Sequence, residues 1–293
     1  MAINVQTYYK TSWDQAFADA IAGCEANGLT LLIPDGRYAL TAGVALACNV
    51  ISEPGAEIRY SGAGPAVTVG TPDSVISNRT ITLPSIRGAA IDGKPAWVTN
   101  GIVDDDAGLL VRNVQHSTIR FGQILNFSAG LKVVGQGAAN GSTENAIEGN
   151  VLTNNAIAFW IAPGLDGGWT TQHTVRINRY HIGGSLTVDP FVPGTCYIRI
   201  DEPRKGFMFQ GGNLAGSSEE YALWTAAAQA MFVGMRWESG PTRQHHIHFA
   251  DGAQRNEIVG GPDLDTVVVT KGTNTEANIL YWPEAPGLVQ MVA

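Results

Sequence analysis

From about residue 42 to its end, the chain reads as short runs of apolar and β-branched residues, cut apart by Gly, Asn, Ser, Asp and Pro. Val67–Val69, Thr80–Leu83, Leu109–Arg112, Ile157–Ile161 and Tyr197–Ile200 are typical: too short for helices, without a helical period, and bounded by turn formers. The runs also recur. Ile124 to Val134 can be laid on Val151 to Ile161 at an offset of 27 residues, and an apolar or Gln residue followed by glycine returns at Gly183, Gly211, Gly234 and Gly260, with gaps of 28, 23 and 26. Steps this irregular suit a β-solenoid, whose coils hold two or three short strands joined by turns of variable length. One coil cannot bury its own apolar face, but coils stacked at roughly 4.8 Å build a continuous core. Asparagines near strand ends (Asn113, Asn126, Asn150, Asn154, Asn155, Asn178, Asn213, Asn256) fit the corners, where amides stack and left-handed backbone is tolerated. A β-sandwich with turns every 8–12 residues is the competing reading. Only Glu219 to Ala230, around its alanine run, reads as a further short helix.

The first forty residues differ. Ser12 to Gln15 has the form of a capping box, and Trp13, Phe17, Ala20, Ile21 and Cys24 fall at helical spacing to make one apolar stripe. Asn27-Gly28 stops the helix, Leu29–Ile33 is a buried strand, Pro34-Asp35-Gly36 a tight turn, and Tyr38 opens the next strand. Charged residues make up only 15% of the chain and the net charge is −8, which argues against nucleic acid and against an anionic membrane surface. No apolar run is long enough for membrane insertion, and MAINVQTYYK does not have the form of a signal peptide. The three cysteines, at no metal or redox spacing, are expected to be buried thiols in a chain made in a reducing cytoplasm.

The string SWDQAFADAIAGCEANGLTLLIPDGRYAL resembles the opening of the pectate-lyase-like right-handed parallel β-helix proteins, in which a helix caps the first coil. Within that superfamily it most resembles bacteriophage tailspikes and related receptor-binding proteins, and MFVGMRWESG and HIHFADGAQRNEIVGG have the same texture. The resemblance implies an all-β, right-handed parallel β-helix over residues 12–282, with a capping helix at 12–27, assembled as a side-by-side homotrimer that recognises a bacterial cell-surface polysaccharide. It implies a virion tail location, a chain synthesised in the host cytoplasm, and a phage tail or adaptor protein as partner through a short N-terminal arm, residues 1–11. Residues 283–293 form a tail expected on the last coil or a neighbouring subunit. A structural spike or adhesin of the same fold, and a cellular polysaccharide hydrolase or lyase, are the alternatives.

Glycosidase chemistry needs two carboxyl groups, about 5–5.5 Å apart for retention or roughly 6.5–9.5 Å for inversion, and stacked coils supply either spacing. Asp201, Glu202, Glu238, Asp263 and Asp265 are on offer. The preferred catalytic pair is Glu238 with Asp201 or Asp263; solvated turn carboxylates are the plain alternative. Arg176-Ile177-Asn178 and Asp104-Asp105-Asp106 echo polygalacturonase motifs, but the lysine is missing and no G-H-G is present. The aspartate run reads as a solvated turn rather than a calcium site. His246 and His248 share a strand face, as metal-binding fibre repeats do, and read as ordinary strand histidines. No metal or other cofactor is expected. Sugar rings present C–H faces that pack on aromatics, which nominates Trp169 and Trp237 for glycan binding, with Trp160 in a strand and Trp13 in the cap.

Overall fold

A computed structural model describes residues 1–182, 193–216, 219–238, 246–262, 267–281 and 289–292. The chain visits three parallel ladders in turn. A central coil runs from Ala107–Arg112 in the second ladder through Val114–Gln115 in the third to Thr118–Leu125 in the first. It then re-enters the second at Ala129–Val134, directly beside its starting strand. The next coil repeats the path through Gly141–Thr143, Ala146–Thr153 and Ile157–Ile161. Among the described residues the first ladder has 17 strands, the second nine and the third four. In the middle of the first ladder the strands are long; on either side each splits in two, as Thr80–Leu83 with Ser85–Arg87 and Lys205–Gln210 with Asn213–Gly216. Strands that pair in parallel with the next turn of chain, in long sheets, exclude the antiparallel sandwich reading and are consistent with a β-helix.

The register corrects the repeat offset. Ile124 faces Leu152, Leu131 faces Phe159 and Val133 faces Ile161, a step of 28 residues rather than 27. A one-residue slip would turn every buried side chain outward. Ile124, Leu152, Leu131, Phe159 and Val133 all point into the core instead. Phe209 stacks on Phe232 at 5.0 Å and meets Phe159 edge-on at 5.4 Å inside that core. The glycine repeat marks a genuine corner: Gly211, Gly234 and Gly260 all adopt φ near +64° and each donates its N–H to the next coil, at Val233, Val259 and Tyr281. Gly183 lies outside the described residues.

Asparagines tie the other corners. The Asn155 side chain accepts from the Phe127 N–H and donates to the Ile124 carbonyl, both at 3.0 Å, so it links two coils where neither strand ladder can. Asn145 does the same for Ser117 and Val114, and Asn256 for Ala230 and Ala227. Asn113, Asn126 and Asn154 take positive φ as anticipated, whereas Asn150 and Asn178 lie within strands and bond to each other at 3.2 Å.

Helix α1, Trp13–Asn27, buries Ala16, Phe17, Ala20, Ile21 and Cys24 over the first coil. Ser12 accepts the Gln15 N–H at 3.3 Å, and Gly28 ends the helix in the left-handed conformation. Only half of the expected capping box forms, because the Gln15 amide donates to Asp19 at 2.6 Å. Ala2–Asn4 pairs with Thr30–Leu32, so the N-terminal residues add a strand to the first ladder. Val289–Val292 pairs with Asn278–Tyr281 in antiparallel sense at the other end. The expected helix at Glu219–Ala230 is absent: Tyr221–Thr225 and Gln229–Val233 are strands whose pairing on both sides outweighs alanine's helix propensity. A helix does occur at α2, Ala96–Asn100, after a small hairpin of Ala90–Ile91 with Lys94–Pro95.

Candidate functional site

The outer side of the second ladder carries a column in which each residue faces the next across a strand pair: Lys132, Trp160, Arg199, Trp224, His248 and Thr270. Cations and aromatics alternate along it. The Lys132 ammonium sits 4.2 Å from the Trp160 ring, and the Arg199 guanidinium lies 5.6 Å from Trp160 and 5.9 Å from Trp224. Trp224 and His248 stack at 4.3 Å, while Tyr221 meets both, at 5.2 and 5.5 Å. Parallel strands force the arrangement, since side chains one coil apart stand about 4.8 Å from each other, the thickness of a stacked ring pair. The ring faces of the column are thus shared between neighbours one coil apart.

Asp201 belongs to this column. Its Oδ2 accepts from the Trp160 indole N–H at 2.9 Å and from Arg199 Nε at 2.7 Å, leaving the two terminal amino groups of Arg199 with no protein acceptor among the described residues. Glu202 turns the other way, only 3% exposed, and accepts from the Gly164 N–H at 3.2 Å. Burial raises its carboxyl above the usual range, against the opposing pull of Arg204 and backbone donors. Beside Arg199 a cleft of about 350 Å³ opens, lined by Gly194, Cys196, Arg199, Glu220, Tyr221 and Trp224. Glu220 is held there by the Gly194 N–H at 2.6 Å, and the Tyr221 hydroxyl has its pKa raised first by burial and then by the Glu220 charge. Burial lowers His248 below the ordinary imidazole value, and its Nδ1 shares a hydrogen bond with Thr270 at 2.8 Å. A half-exposed cleft with aromatic edges, one guanidinium and a carboxylate can hold a neutral polyhydroxylated ligand through many weak polar contacts.

Of the residues expected to form a catalytic pair, Asp201 reaches this cleft through its bond to Arg199, which lines it. Glu238 ends strand Arg236–Glu238 of the first ladder, opposite Ala215, so the two carboxylates stand on different sheets. Asn213 donates to Glu238 at 2.7 Å, and that bond, with Arg236 and Arg179 nearby, holds the carboxyl below its usual value despite some burial. A depressed carboxyl is ill suited to act as a general acid. Asp263 and Asp265 lie outside the described residues. Trp237 is 0% exposed within the core, so it has no face to offer a sugar; strand alternation turns it inward as Glu238 turns outward. Trp169 is half-buried in the third ladder with its ring against Gly141, where a Cβ would lie 2.3 Å from the indole. Asp106 accepts from the N–H and hydroxyl of Ser128, both at 2.8 Å, a turn-forming role. Among the described residues no three metal-ligating side chains come together.

No protein-family model matches the chain, and no curated protein matches it in sequence. Two solved structures are similar in outline. One is PfbA, a surface adhesin of Streptococcus pneumoniae, with a TM-score of 0.44 and 12% identity over 96% of this chain and 91% of that one. The other is ORF18 of Geobacillus virus E2, with a TM-score of 0.43 and 10% identity over 95% of this chain and 60% of that one. Similarity at this level establishes no family.

Proposed function

We propose that the chain is a phage tailspike-type receptor-binding protein: a right-handed parallel β-helix that stands side by side in a homotrimer and binds a bacterial surface polysaccharide in the cleft beside Arg199, Tyr221 and Trp224. The observation that carries the reading is the cleft itself, where aromatic edges and both signs of charge converge on the outer side of the second ladder. A linear glycan laid along the column would meet Arg199 amino groups, the Glu220 and Asp201 carboxylates and the edges of Tyr221 and Trp224. In this reading the trimer covers side surfaces that a chain with 15% charged residues solvates poorly, and the N-terminal residues attach to the tail or its adaptor. Binding without cleavage is favoured over hydrolysis, because Asp201 and Glu238 occupy different sheets and Glu238 is held ionised.

Light scattering and calorimetric titration with purified host surface polysaccharide test the proposal. A native mass of three times 31.0 kDa, with binding that Trp224→Ala weakens at least about tenfold and no release of fragments, is the expected result. A monomer that binds no glycan would overturn it.

A further inference from the structure

We propose that Cys24 and Cys48 are a redox pair that closes to an intrachain disulfide on exposure to a peroxide, a property separate from the glycan reading. Cys24 lies on the buried face of α1, and Cys48 in the turn between strands Val44–Leu46 and Val50–Ser52; they are 0% and 5% exposed. Each thiol shifts the other's ionisation, as neighbouring sulfurs do. The residues beside them are tied, since the Ala47 N–H donates to Glu25 Oε1 at 3.2 Å. The helix end and the turn are thus held together before any covalent bond forms. Both cysteines line a cavity of about 220 Å³, shared with Glu25 and Arg79, which has room for a molecule as small as hydrogen peroxide. Cys196 sits in the second ladder, 2% exposed, and is free.

The chemistry balances with peroxide as the oxidant. The Cys24 thiolate attacks one peroxide oxygen; the O–O bond breaks, leaving a sulfenic acid on Cys24 and a hydroxide. The Cys48 thiolate then attacks the Cys24 sulfur, the S–O bond breaks, and a second hydroxide leaves. The two protons shed by the thiols turn these hydroxides into two waters, and two electrons pass from the sulfurs to the peroxide. Burial raises both thiols, Cys48 to about 11, so the reaction quickens in mildly alkaline solution. The product ties α1 to the coil it caps.

Full-length protein is treated with hydrogen peroxide, denatured, and titrated for thiols, with a peptide map on the same sample. A fall from three free thiols to one, a mass lower by two hydrogens and a linked Cys24–Cys48 peptide pair are expected. The same crosslink is expected in Cys196→Ser. Three persisting thiols, a link to Cys196, a link between chains, or a sulfinic acid on Cys24 without a crosslink would each overturn the proposal. The wild-type map alone decides the matter if the variant does not fold.

Discussion

At the scale of single residues, His173 shows how the corner positions work. It occupies the place one coil on from Asn145, as Asn145 does from Ser117, and its Nδ1 faces the Asn145 N–H at 3.4 Å. Complete burial lowers its pKa to about 3, and its Nε2 has no hydrogen-bond partner among the described residues. An unfolded histidine titrates near 6.5, so between those values the unfolded chain binds a proton that the folded chain refuses. Stability present above about pH 6.5 is therefore lost progressively as pH falls toward about 3. His173→Asn, which continues the asparagine series of this corner, should flatten that dependence; a thermal melt series from neutral to acid pH would show it, and an unchanged slope would refute it. At this scale the sequence was half legible. The cap residues Ser12 and Gly28 and the corner glycines could be read because their chemistry is local. The column of Trp160, Arg199, Trp224 and His248 could not, because the step from Trp160 to Arg199 is 39 residues where the steps on either side are 28 and 25, so no single period aligns them. Trp237, expected on a glycan surface, lies in the core for a similar reason: alternation decides which of two neighbours faces out, and its phase is invisible without the register.

Among the elements, α1 is the one whose stability rests on few enough contacts to test. Asp14 in its first turn accepts from the Thr41 N–H at 2.9 Å, the Thr41 hydroxyl at 2.8 Å and the Ala42 N–H at 3.0 Å, pinning the helix to the end of strand Arg37–Leu40. Burial tends to raise this carboxyl, yet the three donors together hold it below the usual value. Asp14→Ala leaves two backbone donors to solvent, and with Ser12→Ala, which removes the cap, should cost about 1–3 kcal/mol in all. Urea unfolding followed by tryptophan fluorescence reads this, since Trp13 lies at the helix start and packs on Tyr38 at 4.7 Å. A double variant as stable as the parent would mean that apolar burial alone seats the helix. Many strand positions were legible, as Val67–Val69 and Ile157–Ile161 match their runs residue for residue. Short strands such as Val44–Leu46, Val50–Ser52 and Gly141–Thr143 did not stand out as runs. Glu219–Ala230 was not legible, because the pairing that makes it two strands comes from residues far away in sequence.

For the molecule as a whole, the ends matter more than the middle. Every inner coil finds strands above and below, but the first and last do not. At one end α1 and Ala2–Asn4 cover the first coil; at the other Val289–Val292 runs against the direction of every ladder strand. Deleting residues 1–27 should bare the edge of Thr30–Ile33 and the apolar side chains of Leu31 and Tyr38, and turn a discrete species into one that self-associates, as sedimentation velocity would reveal. A monodisperse truncated protein would show that the cap has no such role. Parallel strands stacked at one spacing along one axis are, geometrically, a short length of cross-β fibril. A fibril differs chiefly in that its last layer is a template for the next. Here Val289–Val292 sets a strand of the opposite polarity against the ladder, so a copy approaching that strand in the parallel register would find its hydrogen-bond pattern mismatched.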